Sequence, residues 1–98
     1  MIALDLNRRV LVRDDQVLHL TRSEFELVAL LIAHPEFVRS RDQMLDAMKG
    51  FGSREGYITC VDVHVKRLRR KLMAAWGAEA RACIRTSWGY GYSWKEGA

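Results

Sequence analysis

Apolar and polar residues alternate along the first twenty positions and then change period. Ile2-Ala3-Leu4-Asp5-Leu6, Arg8-Arg9-Val10-Leu11-Val12 and Val17-Leu18-His19-Leu20 read as short strands. Asn7 and Asp14-Asp15 fall where turns are needed, because their side chains hydrogen-bond locally and tolerate turn geometry. From residue 21 the spacing is helical. Thr21-Arg22-Ser23-Glu24 is a capping-box pattern, and the helix it opens runs to about Ala33, before Pro35. It is apolar almost all round, as befits a helix pressed between a sheet and other helices. Ser40-Arg41-Asp42-Gln43 repeats the pattern and opens a second helix ending near Gly50, followed by the glycine-rich loop "GFGSREG" (50–56). A third helix begins at Tyr57 or Ile58 and continues to about Trp76, with Gly77 as its stop. Residues 83–86 and 90–94 then bracket "SWG" as a β-hairpin.

The order is sheet, helix, helix, helix, hairpin: an α+β domain over 1–98, with the sheet in 1–20, the helical core in 21–76 and the hairpin in 82–95. Ninety-eight residues suffice for a single core. The longest apolar run, Leu27 to Ala33, is far too short for a membrane span, and residues 1–20 lack the pattern of a signal peptide. Cys60 and Cys83 do not make a disulfide scaffold, and reduced thiols in a cytoplasmic protein fit better.

Charge changes this picture. The net charge is +4, but residues 1–56 carry eight Lys/Arg against nine Asp/Glu, whereas residues 57–98 carry eight against three. Five of those cations lie within residues 66–71. At about 100° per residue, Ile58, Val61, Val65, Leu68, Leu72 and Trp76 form one stripe of the third helix, its buried face. Roughly opposite lie Thr59, Val63, Lys66, Arg67 and Arg70, with Arg69 and Lys71 on the flanks. Most charged helix faces are merely solvated, but such faces mix signs, and 66–71 contains no acid. Val63 gains the fold little on a polar face, while a thymine methyl in a DNA major groove would give it a use. The pattern therefore points to a polyanion, nucleic acid before an acidic membrane surface. At the hairpin tip, Arg85, Thr86 and Trp88 could reach the adjacent backbone or minor groove; Trp88 could equally pack back on the third helix.

The stretches "LTRSEFELVALLIAHPEFVRSRDQMLDAM" (20–48), "VDVHVKRLRRKL" (61–72) and "IRTSWGYGYSW" (84–94) resemble the OmpR/PhoB-type winged-helix effector domain of bacterial two-component response regulators. The likeness covers nearly the whole chain, in order and with fitting spacing. It implies a winged helix-turn-helix: a four-stranded N-terminal sheet, incomplete here, a three-helix bundle and a C-terminal hairpin wing. It also implies double-stranded DNA as partner, with the third helix in the major groove. On this resemblance Arg67, Val63 and Thr59 read base edges, while His64, Lys66, Arg69 and Arg70 touch phosphates or the groove. Arg41 matches a phosphate contact at a helix N-terminus, and Thr86 and Trp88 match wing contacts, with Arg85 beside them a candidate phosphate or groove contact. The loop carrying Phe51, Ser53, Arg54 and Glu55 corresponds to the segment that meets RNA polymerase in activators of the family. An isolated domain of this kind is expected to be monomeric. Full-length relatives pair through a receiver domain, absent from these residues, and then occupy tandem direct repeats; the chain is accordingly expected to be the effector part of a longer regulator, with a stand-alone domain as the alternative.

Three departures from the family pattern stand out. Trp88 replaces an Arg that often enters the minor groove, Thr59-Cys60 replaces Arg-Thr, and Lys49 stands where Trp is common, adding a candidate phosphate contact. The rival readings are weaker. Cys60 and His64, four apart, could share a metal, but two ligands do not make a site. No phosphate loop, acid pair or nucleophile–base motif suggests an enzyme or a cofactor. A winged-helix module that docks its basic face on a protein or an acidic surface is the alternative; Trp88 is its best support.

Overall fold

The computed structural model describes residues 1–48 and 58–95, with the side chains of residues 58–60 left out of the description. Three N-terminal strands, β1 (Ile2–Asp5), β2 (Val10–Arg13) and β3 (Gln16–His19), form an antiparallel sheet in the order β1-β2-β3. The pairing runs Ile2↔Arg13 to Asp5↔Val10, then Val10↔His19 to Arg13↔Gln16. β2 begins two residues later than the alternation alone suggests. The Asp5 carboxylate accepts from the backbone N–H groups of Asn7 (3.0 Å) and Arg8 (2.9 Å), which holds residues 6–9 in a turn. Arg9 and Asp14 take positive φ (60° and 54°) to reverse the chain. Three strands, not four, make up this sheet among the described residues.

Helix α1 (Arg22–Ala33) starts at a complete capping box: Glu24 N–H donates to Thr21 Oγ1 at 3.2 Å, and Thr21 N–H donates to Glu24 Oε1 at 2.9 Å. Helix α2 (Arg41–Met48) starts the same way, with Gln43 N–H on Ser40 Oγ at 3.1 Å and Ser40 N–H on Gln43 Oε1 at 2.9 Å. Each box satisfies backbone donors that a helix start otherwise leaves to water. Helix α3 (Ile58–Trp76) is 19 residues, about 28 Å long at the usual rise. Gly77, with φ of 89°, turns the chain directly into a short helix, α4 (Ala78–Arg81), which the sequence pattern does not reveal. Ala80 of α4 and the following Cys83 are buried and close the end of the core.

The hairpin consists of β4 (Ile84–Ser87) and β5 (Gly91–Trp94), paired Ile84↔Trp94 to Ser87↔Gly91. The outer edge of β5 is covered as well. Arg39 N–H donates to Tyr92 O (2.7 Å), Tyr92 N–H to Arg39 O (3.0 Å), and Glu36 N–H to Trp94 O (2.7 Å). The α1–α2 connection thus acts as a partial third strand and protects an edge that could otherwise pair with another chain. Gly91 permits this approach, since a Cβ there would lie 1.9 Å from Arg39 O.

One apolar core joins all the elements. Leu11 from the sheet, Leu27 and Leu31 from α1, Met44 from α2, Leu68 from α3 and Trp94 from β5 are fully buried in it. The carboxyl end of α3 is tied to the sheet by polar bonds: Trp76 Nε1 donates to Gln16 Oε1 at 2.6 Å, and Arg13 Nη1 donates to Trp76 O at 3.3 Å. The long helix is therefore held at its far end, which fixes where its basic front faces. No helix among the described residues is long and apolar enough to cross a membrane.

Candidate nucleic-acid interface

The two faces of α3 separate as their periodicity requires. Val61, Val65, Leu68 and Leu72 are buried, and Trp76 packs half-buried against the same core. On the opposite side Lys66, Arg67 and Arg70 are exposed, and Val63 is 43% exposed among them. Positions 63, 66, 67 and 70 share one face at helical spacing, so a single surface carries three cations and one β-branched apolar side chain. An exposed isolated valine needs no explanation of its own, but this one lies on the cationic face, one turn before Arg67.

The flanking cations behave differently. Lys71 Nζ lies 2.7 Å from Glu24 Oε1, and Glu24 is itself buried at the start of α1. The basic run does have an acid, supplied by another helix, which corrects the expectation drawn from the run alone. Arg69 Nη2 donates to Ile84 O (2.7 Å) and to Thr86 Oγ1 (2.8 Å), and its Nε reaches Ile84 O at 3.2 Å. These bonds tie α3 to the first strand of the hairpin. Burial lowers the pKa of Arg69 from its ordinary value.

Arg41, the first residue of α2, faces Asp62 of α3. Its Nε lies 2.9 Å from Asp62 Oδ1 and 3.2 Å from Oδ2. The hydrogen bond to Asp62, and then its charge, raise the pKa of Arg41. Tyr92 OH donates to the same Asp62 Oδ1 at 2.5 Å. The guanidinium groups of Arg41 and Arg69 each lie 5.5 Å from the Tyr92 ring centroid, so one ring meets two cations. Burial and then the bond to Asp62 raise the Tyr92 pKa. Asp62 therefore joins α2, α3 and β5. The "VDVH" stretch contained it, but spacing along one helix does not reveal a partner on another.

His64 is half-buried and, with Thr21, Glu24, Arg67, Arg70 and Lys71, lines a shallow hollow between the start of α1 and α3. On the hairpin, Arg85 is exposed and lies 3.7 Å from the Glu36 carboxylate, a pairing that solvent weakens. Thr86 is held by Arg69. Trp88 is 86% exposed, so it does not pack back on the third helix. Lys49, Phe51, Ser53, Arg54 and Glu55 lie outside the described residues, as do the side chains of Thr59 and Cys60. Among the described residues no group of three or more His, Cys, Asp or Glu side chains is placed to hold a metal ion.

A three-helix unit whose long third helix turns a basic face outward, followed by a hairpin bonded to that helix, is a winged helix-turn-helix domain. The family model described as "Transcriptional regulatory protein, C terminal" matches residues 15–94, and the chain belongs to that family, the OmpR/PhoB-type effector domains. It is a family of transcription-regulator domains, not of enzymes. Among its relatives is the "Uncharacterized transcriptional regulatory protein YclJ" of Bacillus subtilis, 39% identical over 89 residues, which cover 91% of this chain and 37% of the relative. The chain thus spans little more than a third of that protein's length. Among solved structures, the DNA-binding domain of CpxR from E. coli superposes with a TM-score of 0.75 at 29% identity, covering 99% of this chain and 92% of that one. The Klebsiella pneumoniae RstA DNA-binding domain, solved in complex with the RstA box, superposes with a TM-score of 0.73 at 25% identity, covering 96% and 90%.

Proposed function

We propose that this chain binds double-stranded DNA in a sequence-specific manner, as the effector domain of a bacterial two-component transcriptional response regulator. The observation that carries the reading is the exposed Lys66–Arg67–Arg70 face, with Val63 one turn before Arg67, on a helix whose opposite side packs Val61, Val65, Leu68 and Leu72 into the core. No carboxylate among the described residues pairs with these cations. A concentrated unpaired positive field gains energy when phosphates arrive and their condensed counterions leave. RstA, a solved relative of the same fold, is crystallised with its DNA box.

In this reading α3 enters the major groove. Lys66 and Arg70 contact phosphates and set register, while Arg67 and Val63, with Thr59, meet base edges. His64 and Lys49 lie beside the groove, and Arg85 and Thr86 bring the wing to the adjacent backbone. Arg41 and Arg69 already hold internal partners, so they reach phosphate only from the exposed rim of those bonds, or act by positioning α2 and the wing. In the longer protein a receiver domain brings two copies onto tandem direct repeats, the loop with Phe51, Ser53, Arg54 and Glu55 meets RNA polymerase, and the whole works in the cytoplasm. The domain alone is a monomer.

The test is selection of bound duplexes from a random pool. Recovery of a short common sequence, repeated in tandem when two copies bind, supports the reading. Recovery of unrelated duplexes only, or of none, contradicts it.

A further inference from the structure

The hairpin tip carries chemistry that the basic helix does not account for. Ser87 O accepts from Tyr90 N–H at 2.9 Å, which closes a turn with Trp88 and Gly89 at its centre. Gly89 has φ of 84°, as the third position of a type II turn requires. The turn holds Trp88 and Tyr90 outward, 86% and 73% exposed. Folding gains almost nothing from either ring, and two large exposed aromatics side by side are an association liability unless something covers them.

The tip is also supported. Arg69 bonds to Ile84 O and Thr86 Oγ1, and β5 is paired to the α1–α2 connection on its outer side. Trp88 lies two residues beyond the Thr86 tether, so at most about 7 Å of extended chain separates it from the last bond to α3. That reach is comparable to the depth of a B-DNA minor groove, about 7.5 Å. Residues 87–90 carry no charge, and the nearest cation along the strand, Arg85, already faces Glu36. A neutral tip has nothing to exploit in the strong negative potential of a narrow A-tract groove. A flat apolar ring gains instead where a base step opens to admit it.

We propose that the projecting Trp88, flanked by Tyr90 on the Arg69-braced wing, is an apolar wedge that enters the minor groove next to the α3 site and selects a deformable pyrimidine–purine step (TA or CA/TG) there. The wedge rests on the DNA-binding reading above. Its specificity comes from the ease of unstacking the step, not from hydrogen bonds, because such steps open at least cost. The duplex is bent away from the wedge, toward its major groove. The occupant is duplex DNA rather than a protein because the hairpin that carries the tip is bonded to α3 through Arg69, three residues along the helix from Lys66.

The experiment uses this chain and a duplex recovered by the selection, labelled at both ends for energy transfer. Trp94 is fully buried and Trp76 half-buried, so Trp88 dominates quenching of tryptophan fluorescence by iodide. Adding duplex is expected to shield that fluorescence from iodide and to shorten the end-to-end distance. Trp88→Ala is expected to abolish both changes and to weaken binding by roughly 5- to 150-fold, the range for one stacked base, while leaving the salt dependence unaltered. Replacing the step under the wing by a stiff AA step should weaken the parent and leave Trp88→Ala unaffected. Tight duplex binding with no shielding and no bend, or a Trp88→Ala variant that bends DNA as the parent does, overturns the wedge alone and leaves the tip for a protein partner. Absence of duplex binding by the parent at low salt overturns the DNA reading and the wedge together.

Discussion

Arg69, on the flank of α3, donates two hydrogen bonds to the main-chain oxygen of Ile84 at the start of β4, the shorter at 2.7 Å. A side chain that by position in its helix belongs to the basic run thus spends its donors inside the protein. The recognition helix and the wing are one rigid piece on that account, and moving either would break a charged bond in a half-buried place.

Arg69→Ala should therefore destabilise the fold by about 1–2 kcal/mol in denaturant unfolding, an amount held down by the partial exposure of the guanidinium. Duplex affinity should fall with the base preferences read by α3 unchanged, because the wing is loosened and no base contact of α3 is lost. If the slope of log affinity against log salt is unchanged, Arg69 acts through the wing. A slope shallower by about 0.9 would instead make it a direct phosphate contact.

Arg67 is exposed on the front of α3, with Val63 one turn earlier. Arg67→Ala should cost about 1–3 kcal/mol of discrimination at one or two base positions, read by competition between matched and single-substituted duplexes. Equal weakening for every duplex would remove Arg67 from base reading. Val63→Ala should lose preference at a thymine position only.

Much of this was visible in the residue pattern, and the part that was not has a common cause. The stripe Val61, Val65, Leu68, Leu72 and both capping boxes obey spacing rules within one element, and each appears where the pattern placed it. What the pattern missed joins different elements: Lys71 with Glu24, Arg41 with Asp62, Arg69 with Ile84, and Arg39 with Tyr92. No local period encodes a partner tens of residues away. Helix α4 escaped because four residues are too few to show a period. For Trp88 the residues left two outcomes open, and only the fold decided that it projects.

Gly91 and Gly89 offer a matched pair. At Gly91, φ is 145° and an added Cβ would collide with Arg39 O, so Gly91→Ala must separate β5 from the α1–α2 connection. A loss of more than about 3 kcal/mol is expected in chemical unfolding. Gly89→Ala meets no atom within 4 Å and should cost only the strain of positive φ, about 1–2 kcal/mol. Equal losses for the two would mean that the contact across β5 is not what Gly91 serves.

Lys71 and Lys66 separate the structural from the functional cations. Lys71→Ala leaves the Glu24 carboxylate buried without its cation and should cost about 2 kcal/mol, below the value for a fully buried pair because Lys71 is partly in solvent. Lys66→Ala should change stability by less than about 0.5 kcal/mol and affect only duplex affinity. Thermal unfolding of both variants at one pH checks this; a Lys66 variant as unstable as the Lys71 variant would speak against the division.

The most direct measurement is the salt dependence of duplex affinity for this chain and for the Lys66→Ala/Arg70→Ala variant. The parent should bind duplex DNA at low salt, with log affinity falling linearly against log salt. The double variant should remain folded and give a slope shallower by about 1.8, the share of two phosphate contacts. No duplex binding at low salt, a flat dependence, or an unchanged slope in the double variant would contradict the assignment of the outward face of α3 to DNA.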